Sequence, residues 1–124
     1  PAIYLEGEGE ELVGTIFENL KKINKAQNSK LVIVQLPTEG EYRGTINDTL
    51  YEFLRQEAEK RGILYLNLVR DMRQVSSSKM LKFFFQKDIN GFDSSKGHLT
   101  PMGNFFVAQK ISKALTGIDA LNTK

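Results

Sequence analysis

The chain has no cysteine, no tryptophan and a single histidine among its 124 residues. Without cysteine there is no disulfide framework, no thiol nucleophile and no thiolate metal centre. One histidine does not make a zinc-ligand set of the usual kind. Neither a metal nor an organic cofactor is expected. The lack of cysteine fits any redox compartment. No apolar run approaches the roughly 20 residues that span a bilayer, so no membrane span is expected. An excess of one charge is also missing. Seventeen Lys and Arg stand against 15 Asp and Glu, for a net charge of +2. The sequence pI is near 8.9, but the charges are mixed in sign along the chain and form no basic stripe. Nucleic acid is therefore not an expected partner.

What is present is ordinary globular text, 40% apolar and 26% charged. A chain of this length suits one domain and can bury about two thirds of its unfolded surface. Residues 9–28 read as a helix. Leu12, Ile16, Leu20 and Ile23 recur at helical spacing and predict its buried face. Glu6, Glu8, Glu10 and Glu11 precede Lys21, Lys22, Lys25 and Lys30, an order that complements the helix dipole. Asn28-Ser29 is its stop. LVIVQLP, residues 31–37, is rich in β-branched residues and reads as a strand covered on both faces, as in a parallel sheet. TEGEYRGT, residues 38–45, reads as a loop. Residues 46–62 read as a second helix, with Asn47 or Asp48 as its cap and Gly62 at its left-handed end. ILYLNLV, residues 63–69, is a second strand. Strand, helix and strand with short connections make a right-handed βαβ unit.

Residues 70–78 are ambiguous and hold at most a helical turn. SSKMLKFFFQK, residues 77–87, reads as a short helix, with core packing as the expected role of its three phenylalanines. A polar loop follows to Gly97. Thr100 is a good N-cap and Pro101 a good first helical residue. The last helix carries Val107, Ala108, Ile111, Ala114 and Leu115 as its stripe, with Gly117 as its end and a frayed tail after it. Two parallel strands make a poor sheet, so further strands are wanted. Ala2–Gly7 is a candidate third strand; a missing N-terminal segment or a second chain could complete the sheet.

His98, in GFDSSKGHLTPMGNFFVAQKI, is the residue with chemistry to offer. A histidine acting as general base needs a group to hold its other ring nitrogen and a proton donor to activate. Asp93 lies five residues upstream in the same loop and can hold Nδ1–H if the loop curls back. Asp88 is more distant. The competing reading is a polar loop residue ahead of a helix cap.

The order of these parts resembles the C-terminal portion of SGNH/GDSL-type hydrolases. ENLKKINKAQNSK runs into the proline-ended strand LVIVQLP. LYEFLRQEAEKRGILYLNL, residues 50–68, is similar to the family's following helix and strand. HLTPMGNFFVAQKI, residues 98–111, is similar to its last block, in which a histidine precedes a Thr-Pro cap, a glycine and the final helix. The resemblance covers roughly residues 9–116. It implies a single α/β domain over residues 1–124: a three-layer α/β/α, flavodoxin-like fold with a parallel sheet, incomplete in this chain and part of a larger SGNH hydrolase-like domain. It implies ester hydrolysis or O-acyl transfer by a Ser-His-Asp triad. His98 would be the base and Asp93 the orienting acid, acting on an acyl-ester small molecule or an acylated carbohydrate.

Two departures qualify the resemblance. The family places Asp three residues before His, where this chain has Ser95. The family's Gly-Asp-Ser block and its Gly and Asn oxyanion donors are missing. GTIND, residues 44–48, matches such donors by letters but comes too late in the order and reads as a helix cap. The consistent expectation is that the serine lies in a segment outside these residues. The alternative is a non-catalytic α/β binding or interaction module.

Overall fold

A computed structural model describes residues 7–44 and 48–122. The elements are α1 (Glu8–Ala26), β1 (Val32–Gln35), α2 (Glu39–Tyr42), α3 (Thr49–Lys60), β2 (Leu64–Asn67), α4 (Leu68–Arg73), α5 (Ser77–Met80) and α6 (Pro101–Asn122). The result is a small mixed α/β fold, with helices flanking a short parallel sheet of two strands. The candidate strand at Ala2–Gly7 and the candidate cap Asn47 fall on residues outside the described ones, Gly7 excepted. The chain forms two compact units. One takes residues up to Gln35 together with Gly44–Asn67; the other takes Leu36–Arg43 and everything from Leu68 onward.

In the first unit β1 and β2 pair in parallel, with Val32 opposite Leu64, Ile33 opposite Tyr65 and Gln35 opposite Asn67. Side chains alternate between the faces of a strand. Ile33 and Tyr65 therefore share a face, and they pack with Val13, Phe17, Leu31, Leu54, Ala58 and Ile63 into the unit's core. The other face carries Val32, Val34, Leu64 and Leu66, all half-buried. The βαβ reading is sound in its elements and in the direction of its strands.

Both long helices of this unit end as the sequence predicts. At the end of α3, Ile63 N–H donates to Ala58 O and Gly62 N–H to Glu59 O, each at 2.9 Å. Gly62 has φ +65°. This is a Schellman closure, with Ile63 and Ala58 supplying its usual apolar contact. At the end of α1, Asn28 takes the left-handed position with φ 52°, and Ser29 N–H donates to Asn24 O at 2.9 Å. An ion-pair cluster joins α1 to α3. Arg61 Nη1 donates to Glu57 Oε2 at 2.7 Å, and its Nε lies 3.6 Å from Glu18 Oε2. Lys21 Nζ donates to Arg61 O at 2.6 Å. The buried Gly14 lies beneath this guanidinium.

The buried face of α1 is not the predicted one. Leu12, Ile16 and Ile23 are 60%, 45% and 53% exposed, whereas Phe17 is 8% exposed. Val13 packs against the core beside Phe17. The helix has two neighbouring apolar stripes, and spacing alone cannot tell which one meets the sheet.

The second unit is built around Met72, Met80, Phe83 and Phe84, with Tyr42, Val75, Leu99 and Phe106 packed on them. Residues 39–42, expected as loop, form the short helix α2. Thr38 and Glu41 cap it reciprocally: Glu41 Oε2 accepts from Thr38 N–H at 2.6 Å, and Thr38 Oγ1 accepts from Glu41 N–H at 3.3 Å. Thr-x-x-Glu is the sequence signature of such a box. Glu41 is fully buried, and its carbonyl accepts from Arg73 Nε and Nη2 at 3.0 and 2.9 Å. Tyr42 Oη donates to Val75 O at 3.0 Å.

The second strand is shorter than its apolar run. After Asn67 the chain turns at once into α4, which buries Leu68, Val69 and Met72. The helix expected over 77–87 stops at Met80. Phe83 and Phe84 are both buried despite being neighbours, because the chain there is turn and bridge, with Phe84 paired antiparallel to Leu99. Core packing is thus the role of these two rings. Helix α6 continues past Gly117 to Asn122. One glycine costs a helix about 1 kcal/mol relative to alanine, which does not by itself end it. Its inward stripe is Gly103, Phe106, Val107, Lys110, Ile111 and Ala114; Ala108 and Leu115 lie outside it.

Candidate functional site

The segment around His98 is a loop closed at its neck. Phe85 N–H donates to His98 O at 2.9 Å, Gly97 N–H to Phe85 O at 2.8 Å, and Thr100 N–H to Phe83 O at 2.8 Å. Residues 83–85 thus pair antiparallel with residues 97–100, and residues 86–96 bulge out between them. Within the bulge, Ile89 and Phe92 bridge across Asn90-Gly91, with Phe92 N–H donating to Ile89 O at 2.8 Å. Gly91 has φ +84°. Positive φ at the third residue of a turn is the type II geometry, in which glycine is favoured.

Two polar side chains brace the interior of the loop. Asp88 Oδ1 accepts from Lys96 N–H at 2.8 Å. Ser95 Oγ accepts from Ile89 N–H at 2.8 Å, and Ser95 O accepts from His98 N–H at 3.1 Å. Asp88 is therefore a loop brace. Ser95, three residues before His98, is another.

Beyond His98 the chain enters α6 as its residues predict. Thr100 Oγ1 accepts from Gly103 N–H at 3.2 Å and donates to Lys82 O at 2.6 Å. Pro101 is the first helical residue. Gly103 is buried, and a Cβ there would stand 2.3 Å from Phe83 O. The block HLTPMG thus has a local structural logic. Thr100 caps the helix and ties it to Lys82, Pro101 starts it, and Gly103 lets its first turn lie on the backbone of Phe83. Gly103 was not singled out from the sequence; a glycine three residues after an N-cap threonine was the available signal.

The main chain of His98 is anchored on both sides, and its side chain is exposed. The ring makes no hydrogen bond or ion pair with the described residues. Asp93 is exposed too, and no hydrogen bond or ion pair joins it to His98. The structure places the two in one loop without bringing them into contact. No serine or threonine hydroxyl among the described residues hydrogen-bonds the imidazole; those of Ser95 and Thr100 have the partners given above. Among the described residues no three His, Asp or Glu side chains gather as a metal-ligating group, and no helix is long and apolar enough to cross a membrane. In comparisons with known proteins, no family model, no curated sequence and no solved structure matches this chain.

Proposed function

We propose that this chain is a portion of an SGNH-type ester hydrolase or O-acyltransferase, with His98 as its general base. The observation that carries the reading is the seat of His98. Its backbone is pinned to Phe85 and Ser95, it stands two residues before the cap of the longest helix, and its imidazole is exposed and uncommitted. A group that must take and return a proton needs a fixed position and a free ring nitrogen.

In this reading a serine from polypeptide outside these residues gives its proton to His98 and attacks the carbonyl carbon of an acyl ester. The imidazolium then protonates the departing alkoxide. Water or a second alcohol, deprotonated in turn by His98, releases the acyl group. Asp93 closes on the imidazole and orients it when substrate is bound. Catalytic hydrogen bonds often tighten only in that complex. The substrate is an acyl-ester small molecule or an acylated carbohydrate. The complete fold is a three-layer, flavodoxin-like α/β/α sandwich in which β1 and β2 are two strands of a larger parallel sheet. The half-buried face of Val32, Val34, Leu64 and Leu66 is then where a second layer of helices packs.

The test is hydrolysis of p-nitrophenyl acetate by a polypeptide that joins this chain to its serine-bearing segment. That polypeptide cleaves the ester, and the 124-residue chain alone does not. His98→Ala lowers kcat by about 10³-fold or more, and Asp93→Asn lowers it by less. Full activity in His98→Ala removes His98 as the base. The second reading, a non-catalytic α/β binding or interaction module, is favoured by the lack of any hydroxyl on His98 among the described residues and by the exposed stripe of α1. A folded but inactive joined polypeptide selects it.

A further inference from the structure

We infer that α1 is a self-association surface, pairing antiparallel with α1 of a second copy of this chain about a two-fold axis. The inference does not depend on the catalytic reading, because α1 carries no residue of the proposed site. Its basis is the second apolar stripe. Val13 and Phe17 already supply the contacts that hold α1 to its own unit. Leu12, Ile16 and Ile23 remain 60%, 45% and 53% exposed. With Asn19, also exposed, they follow one another at spacings of four, three and four. That is the seam of a helix pair rather than a scatter of surface residues.

The seam is symmetric about its own midpoint. In an antiparallel pair Leu12 lies opposite Ile23 of the second copy, and Ile16 lies opposite its Asn19. The two Asn19 side chains then sit about 4.5 Å apart along the axis, where their amides can hydrogen-bond. One polar residue within such a seam selects register and orientation.

Charge selects the same orientation. Glu8 and Glu11 lie on the flank of the seam that also carries Lys22 and Lys25, the acids near one end and the lysines near the other. All four are exposed, and none is in an ion pair with the described residues. A two-fold, antiparallel arrangement sets Glu11 beside Lys22 of the second copy. A two-fold parallel arrangement would put this flank against the opposite flank of the second copy, that of Val13 and Phe17, which is already packed in its own core, and the acids and lysines would not meet. The paired segment spans about 17 Å of helix. That is a small interface, and association is accordingly weak, with a dissociation constant on the order of 100 μM.

Sedimentation of the 124-residue chain from about 10 μM to 1 mM brackets that value. The weight-average mass should rise from the 14.0 kDa of one chain toward twice that mass. Ile16→Lys should keep its helical circular dichroism and stay monomeric throughout. Orientation is read by cross-linking, which the lack of native cysteine makes clean. Mixed Leu12→Cys and Ile23→Cys chains should form a disulfide-linked pair on oxidation, and each variant alone should form about tenfold less. A wild-type chain that stays monomeric to 1 mM overturns the inference, as it would if another polypeptide covers the stripe. So does an Ile16→Lys variant that associates like wild type, or a Leu12→Cys variant that links to itself as readily as to Ile23→Cys.

Discussion

Each unit of this protein buries a glycine where a helix comes close to its neighbour, and the two glycines face different things. Above Gly14 lies the Arg61 guanidinium, 2.8 Å from where a Cβ would stand. Above Gly103 lies the Phe83 carbonyl oxygen at 2.3 Å, with its carbon at 3.1 Å. A guanidinium ends a flexible side chain and can move aside. A carbonyl held by Thr100 N–H cannot move without the neck of the His98 loop moving too. The first unit is thus closed by side chains over regular elements, and the second by one stretch of backbone laid against another. Close approach is adjustable in the first case and rigid in the second.

The largest expected effect breaks this comparison if it fails. Gly103→Ala should destabilise the chain by about 3 kcal/mol or more, because a methyl group there must displace backbone. Gly14→Ala should cost no more than about 1 kcal/mol, since the gain in helix propensity offsets the displacement of Arg61. Urea unfolding of both variants measures the difference. Equal midpoints would mean that the two glycines do the same job.

An intermediate effect sharpens the comparison within the first unit. Gly62 has open space around its Cβ position but φ +65°. Gly62→Ala should therefore cost about 1–2 kcal/mol through backbone strain alone. Gly62→Asn should recover part of that loss, as Asn28 tolerates the equivalent position at the end of α1. A midpoint unchanged by the alanine would show that the Schellman closure carries no strain.

The smallest effect is electrostatic. Hydrogen bonds from Lys60 and then from Arg61 hold the Glu57 carboxyl below its ordinary range. A folded-state value below the unfolded one means that the contribution is fully present above the unfolded pKa of about 4.3 and is lost as pH falls through the depressed value. Relative to Glu57→Gln, the wild type should be more stable at pH 7 by about 1 kcal/mol. That advantage should shrink as pH drops below about 4. A constant difference between pH 7 and pH 3 would mean that the carboxylate is not held by its partners.

The first unit was the more legible in sequence. Its strands are short β-branched runs, and its helix ends are marked by Asn28 and Gly62, which act through local backbone geometry. What could not be read was the choice between the stripes of Leu12, Ile16 and Ile23 and of Val13 and Phe17, because it depends on where the sheet lies. In the second unit Thr100 and Pro101 were legible for the same local reason. The adjacent burial of Phe83 and Phe84 was not, since it depends on pairing with Leu99, fifteen residues away. The capping box of Thr38 and Glu41 was written in the sequence but read as loop, because its helix is one turn long. At the candidate site, the entrance of His98 into a capped helix was legible. The bracing of the loop by Asp88 and Ser95 was not, because residue types in a polar loop do not reveal which of them bind backbone.

The neck at Phe85 and His98 has a consequence for how such a protein can change. Three main-chain bonds at residues 83–85 and 97–100 anchor the histidine from the base of its loop. The tip at Asn90-Gly91 can therefore lengthen, shorten or change composition while the main chain of His98 stays in place. Doubling the length of a closed loop costs only about 0.6 kcal/mol in closure entropy. Any carboxylate carried within the bulge, Asp93 included, shifts with every insertion. In the hydrolase reading proposed above, this makes a base of fixed backbone beside a variable rim, so that editing one loop would change what meets the histidine without rebuilding the neck that holds it.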